Sequence, residues 1–204
     1  SITAEGGAMI AMSGHMQVET TTHKKGEGSV LGALKRMVTG ESFFINHFTP
    51  AGAPGEVFFG TALSGDTMEY NLNGPGLMVQ GGSYVASAPT VNMDIQWQGF
   101  GKALFSGESM FLIHLSGSGP VILNSFGAVY PIQVNGEHIV DTGHIVAFEQ
   151  SLTYEVSKAG KSWISSFLGG EGLVCKFRGQ GTVWCQSHNA GSFGTALGPS
   201  LKPR

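Results

Sequence analysis

Ser106 to Asn124 reads S-G-E-S-M-F-L-I-H-L-S-G-S-G-P-V-I-L-N: a strand, a Gly/Ser/Pro turn and a second strand. The phrase recurs upstream as T-G-E-S-F-F-I-N-H-F (Thr39 to Phe48), followed after a longer loop by E-V-F-F (Glu56 to Phe59). It recurs downstream as G-G-E-G-L-V-C-K-F-R-G-Q-G-T-V-W-C-Q (Gly169 to Gln186). A Gly-Glu pair opens each version: Gly40-Glu41, Gly107-Glu108 and Gly170-Glu171. A second phrase precedes it each time, a Gly opening a short apolar run with Ala in fifth place, at Gly7, Gly82 and Gly143. Two markers in the same order three times predict an internal repeat of one β unit. Asn73-Gly74 and Asn135-Gly136, each between apolar runs, predict hairpins.

The chain has 204 residues, a length that one all-β domain can hold. The repeats divide residues 1–187 into about 1–80, 81–140 and 141–187. The remaining 188–204, rich in Gly, Ser and Pro, reads as an extended or disordered arm. Ser29 to Val38 is the one good helix candidate, with Ser29 as N-cap and Leu31, Leu34, Met37 and Val38 on one face. With 32 glycines and only 12% charged residues against 41% hydrophobic, much of the surface is expected to be covered. That predicts a homo-oligomer.

Alternation in the Gly-Glu strands gives a further expectation. Phe43, Ile45 and His47, then Met110, Leu112 and His114, then Leu173, Cys175 and Phe177 form one apolar face, the expected core. The opposite face is Val174, Lys176 and Arg178 in the last version, which suits solvent. In the middle version it is Phe111, Ile113 and Leu115, which requires cover from another sheet or another subunit.

A net charge of −3 without a basic stripe argues against nucleic acid as a main partner. Trp97, Trp163 and Trp184 are scattered without basic interleaving, so no base-stacking platform is expected. No apolar run reaches a transmembrane length and no signal peptide opens the chain, so a cytoplasmic setting is expected. Cys175 and Cys185, placed on the two arms of the last predicted hairpin, read as buried thiols. Nucleotide-binding and hydrolase phrases of the Walker A, Rossmann and G-x-S-x-G kinds are absent.

Two residue sets invite a metal reading. Glu41, Glu108 and Glu171 could converge on one axis and offer oxygens to a hard cation. The simpler role is to accept backbone N–H bonds from their own glycine turns. His138, His144 and Glu149 supply the residue types of a cupin metal site. The H-x-H spacing that such sites use is missing. His47 and His114 hold matching places where the third version has Phe177, a pattern of packing. Neither a metal nor a cofactor is therefore expected.

The phrases F-G-K-A-L-F-S-G-E-S-M-F-L-I-H-L-S-G-S-G-P-V-I-L and D-T-G-H-I-V-A-F resemble a family of bacterial and archaeal cytosolic proteins with a mitochondrial-biogenesis branch (altered inheritance of mitochondria). That family is regarded as similar to the tryptophan RNA-binding attenuation protein. The resemblance covers nearly the whole chain. It implies an all-β fold of three pseudo-symmetric units of the double-stranded β-helix type in one compact domain, packed as a homotrimer, and it carries no catalytic residues. Members begin with a further strand or two before the phrase that here starts at Ile2, which would leave a sheet edge for a neighbour to cover. The expected function is a non-enzymatic scaffold or binding module. A metal-dependent cupin-like enzyme is the first alternative, and single-stranded RNA binding, resting on fold likeness alone, is the second.

Overall fold

The computed structural model describes residues 1–22, 43–96, 111–158 and 173–201. The predicted helix at Ser29 to Val38 and the three Gly-Glu pairs lie outside these residues. The described chain is built almost wholly of strands: β1 (Ile2–Glu5), β2 (Met9–Met12), β3 (Met16–Thr22), β4 (Phe44–Pro50), β5 (Val57–Phe59), β6 (Thr67–Asn73) and β7 (Leu77–Gln80). There follow β8 (Tyr84–Ser87), β9 (Val91–Gln96), β10 (Leu112–Asn124), β11 (Val129–Asp141), β12 (Ile145–Glu149), β13 (Thr153–Lys158) and β14 (Leu173–Gln186). One helix, α1 (Ala190–Leu197), comes last.

Twelve strands make one antiparallel sheet, ordered β11-β14-β12-β7-β10-β8-β1-β4-β3, with β13 on β14 and both β6 and β9 on β10; β2 and β5 form a separate pair. The expected all-β class is what the chain adopts. Its organising element differs from the predicted hairpin. Leu112–Asn124 is one continuous strand, with Gly117 and Gly119 at φ +100° and +131° in its middle. Glycines in this region bend a strand without reversing it, because they add twist while the ladder goes on. The two halves of β10 consequently find different neighbours. Leu112 to Leu115 lies between β7 and β9, and Val121 to Leu123 between β6 and β8. The last phrase behaves alike: β14 runs unbroken from Leu173 to Gln186 through Gly179, at φ +120°.

The two Asn-Gly pairs correct in the same sense. Asn135-Gly136 sits inside β11, where Gly136 pairs with Gly179 across the ladder, bend against bend. Asn73-Gly74 joins β6 to β7, and both of these run antiparallel to β10, one beyond the other. A positive φ at Gly74 and Gly136, +115° and +106°, serves a kink shared with the partner strand. The glycines of both pairs thus take the positive φ expected of them, yet neither pair closes a hairpin.

Packing settles the question of cover. Ile113 and Leu115 are fully buried with Leu77, Val79, Tyr84, Val121 and Val146. Leu112, on the other side of the strand, is buried with Phe148, Cys175 and Phe177. Both faces of β10 at Leu112 to Leu115 are thus covered by the chain's own strands, so that cover needs no second subunit. The outer face of β14 is polar, with Arg178 Nε bonded to Glu137 at 2.8 Å and Lys176 Nζ 3.7 Å from the same carboxylate. Cys175 and Cys185 are free, buried thiols ten residues apart on one strand, with no hairpin between them. Burial pushes them up to about 12 and about 11, which keeps them protonated and unreactive.

The arm also corrects. Ala190 to Leu197 is helical because Asn189 caps it, its Oδ1 accepting from Ser192 N at 3.0 Å. Phe193 then sets its ring against Phe126, centroids 5.4 Å apart, edge to face. Composition predicted no such anchor. Among the described residues, no helix is long and apolar enough to cross a membrane.

Candidate ligand-binding site

Three tight turns meet at one place in the fold. Each follows a strand that ends in a polar residue: Glu5 on β1, Gln80 on β7 and Asp141 on β11. The first turn is held by Gly6 N donating to Phe44 O at 2.7 Å and Ala8 N to Glu5 O at 3.2 Å. The second is a 3-10 turn, Gly81–Ser83, tied by Gly81 N to Phe111 O at 3.0 Å. The third, Thr142–His144, is capped by Asp141, whose Oδ1 accepts from Gly143 N at 2.8 Å. Gly7, Gly82 and Gly143, the opening residues of the second sequence phrase, all line one cavity of about 790 Å³.

The ends of the long strands complete the cavity wall. Gln186 at the end of β14 spans two segments, accepting from Phe126 N at 2.8 Å and donating to Gly143 O at 2.9 Å. Asn124 at the end of β10 is only 7% exposed, and its Oδ1 is buried with no hydrogen-bond partner. Gly60 follows β5, and Asn189 to Gly191 bring the start of α1 to the opening. Met9, Ile10, Leu63, Val85, Phe126 and Ile145 supply apolar wall.

Glu5 is the one carboxylate of the lining, and no Lys, Arg or His lines the cavity among the described residues. Burial pushes its carboxyl up to about 7, because the loss of water penalises the charged form. Beneath it, burial holds the Tyr84 hydroxyl up at about 12, with the Glu5 charge acting in the same direction. That hydroxyl is 2.9 Å from Ser87 Oγ and donates to Thr3 O at 3.3 Å, so it serves the frame.

The residues singled out for metal are placed apart. His138 is exposed on β11 and registers against Phe177 of β14. His144 ends the third turn with Nδ1 2.7 Å from Gln186 O. Glu149 closes β12, its Oε2 accepting from Thr182 N at 2.8 Å. Among the described residues no three His, Cys, Asp or Glu are grouped as metal ligands. Glu41, Glu108 and Glu171 lie outside the described residues. His47 is held on both ring nitrogens, by Thr3 Oγ1 and Thr21 Oγ1 at 3.1 Å each. The cavity residues Glu5, Asn124 and Gln186 were missed. A signal existed for Glu5, because each glycine phrase follows a polar residue at the same offset: Glu5 before Gly7, Gln80 before Gly82, Asp141 before Gly143.

Residues 1–188 match the family described as mitochondrial biogenesis AIM24. The chain belongs to that family. The match takes in all fourteen described strands and every cavity residue up to Gln186, and stops short of α1. The chain is similar to an uncharacterized protein of Streptococcus pyogenes serotype M6, 29% identical over 202 residues, covering 97% of this chain and 81% of the relative. It is also similar to a crystal structure of a Streptococcus pyogenes protein, with 27% identity and a TM-score of 0.80 over 98% of this chain and 89% of that one. A family defined by so many strands and turns is consistent with a shared fold; it assigns no reaction.

Proposed function

We propose that this member of the AIM24 family is a non-enzymatic binding module in which three related β units surround one ligand cavity. The units are of the type found in double-stranded β-helices and in the tryptophan RNA-binding attenuation protein. The pairing supports three units: β6 and β7, end to end, flank β10 together with β8 and β9, as β11, β12 and β13 flank β14, while β1 and β3 flank β4. The observation that carries the reading is the meeting of Gly7, Gly82 and Gly143 around a cavity of about 790 Å³. That volume falls in the range of sites for small molecules, about 300–1,000 Å³. Its mixed wall, apolar with a few polar groups, is what orients such a ligand.

The module works as a homo-oligomer, a trimer by preference. The β2–β5 pair supports this, since it leaves Met9, Ile10, Met12 and Phe58 exposed, Ile10 by 69% and Phe58 by 56%. A contiguous apolar patch of this kind is a contact surface. Native mass spectrometry of gently purified, tag-free protein tests both parts. A mass three times the 21.4 kDa chain, carrying a co-purified small organic molecule, is the expected result. A ligand-free monomer would overturn the reading, and a monomer holding one metal would replace it with an enzyme.

A further inference from the structure

We propose that the cavity is a site for an organic cation: a protonated amine carried on an apolar body. The inference deepens the binding-module reading and rests on it. Its first support is the charge of the lining. Glu5 brings one carboxylate into a half-buried place, and among the described residues no Lys, Arg or His lines the cavity beside it. A lone carboxylate away from water is costly until a cation joins it. An anionic ligand would meet repulsion from Glu5 and no compensating charge among the described residues of the lining, which disfavours phosphates and carboxylates. A divalent metal would find one carboxylate where hard cations take six to eight oxygens.

The second support is independent of Glu5. Asn124, 7% exposed and part of the same lining, keeps an Oδ1 without any partner. An orphaned buried acceptor is costly, and the cost ends when a donor reaches it. The amide torsion of Asn is soft, so this acceptor is free to adjust to a donor that enters beside it. A primary ammonium has three donors and no acceptor, which matches a carboxylate and an amide oxygen together. The third support is the wall of Met9, Ile10, Leu63, Val85, Phe126 and Ile145, which removes the apolar body from water. Charge at one end and apolar surface at the other select an amphipathic amine over a sugar or a small inorganic ion.

The test compares three probes of one shape: hexylamine, hexan-1-ol and hexanoate, each titrated into isotope-labelled full chain at pH 7.5. The backbone amides of Gly7, Gly82 and Gly143 report occupancy by ¹H–¹⁵N correlation spectra. Hexylamine is expected to shift all three amides and to bind about tenfold or more tighter than hexan-1-ol, with hexanoate weakest. Glu5→Gln is expected to bring amine and alcohol to equal affinity. Should that variant fail to fold, the ranking of the three probes on the wild-type chain decides by itself. Equal binding of amine and alcohol at these amides overturns the cation class and leaves the binding module standing. Tightest binding by hexanoate does the same. No shift at any of the three amides with any probe overturns both.

Discussion

Glu5 joins the chemistry of a single residue to the stability of the chain. Its carboxyl is raised by burial from 4.5 to about 7, so between these values the folded chain holds a proton that the unfolded chain releases. Stability therefore falls as pH rises through this window, and the loss is complete above the folded value. Because solvent reaches the half-buried carboxyl, the effect is discounted to about 1–2 kcal/mol. Glu5→Gln removes the titration. Urea denaturation should show the variant more stable than the parent by about that amount at pH 8, and indistinguishable from it at pH 4. Equal stabilities at pH 8 would mean that the carboxyl is well solvated. Phe177 is the contrasting residue: fully buried and 4.9 Å from the Phe148 ring, it was read as core from alternation alone. Phe177→Ala should cost about 3–5 kcal/mol in the same assay.

At the scale of elements, the long bent strands carry the architecture. Gly136 and Gly179 face each other across β11 and β14 with positive φ, and a methyl at Gly136 would meet no atom within 4 Å. Gly136→Ala thus isolates backbone strain from crowding, and should lower the unfolding free energy by about 1–2 kcal/mol. A neutral result would show that the bend can relax. The glycines were plain in the sequence, and so was their taste for special conformations. What was not plain is whether such a residue reverses a chain or bends it. That depends on whether each flanking run can pair with the other or with a third strand, and the available partners are far off in sequence: Asn124 pairs with Thr67, and Leu112 with Gln80. Helix α1 makes the same point in reverse. Its eight residues hold by the Asn189 cap and by Phe193 on Phe126. Phe193→Ala should free it, seen as faster proteolytic cutting within residues 190–197 while the rest of the chain keeps its melting temperature.

At the scale of the whole molecule, the small β2–β5 sheet carries an apolar patch exposed among the described residues. The strands that follow the second and third glycine turns, β8 and β12, are buried almost throughout, whereas all four residues of β2 are exposed. Met9, Ile10 and Met12 of β2 lie with Phe58 of β5 on the small two-stranded sheet. If this is the contact between copies, Ile10→Lys should shift sedimentation from the oligomer to the single chain and leave the circular-dichroism spectrum unchanged. An unaltered oligomer would move the contact elsewhere. The outcome also bears on the cavity, because Met9 and Ile10 line it as well as the exposed sheet.

From its sequence alone this chain is determined to be an all-β protein: runs with period two, abundant glycine, and phrases restated in a constant order leave no other class. The burial of both faces of Leu112–Leu115 follows from the sequence too, because apolar side chains at successive positions must point both ways. Only the tertiary structure decided that these strands bend where they were expected to turn back, and that Glu5, Asn124 and Gln186 share one cavity with the three glycine turns. The reason is physical. Alternation and turn propensity act between residues a few positions apart, whereas the cavity is assembled from segments more than a hundred residues apart whose meeting is set by the register of strands between them.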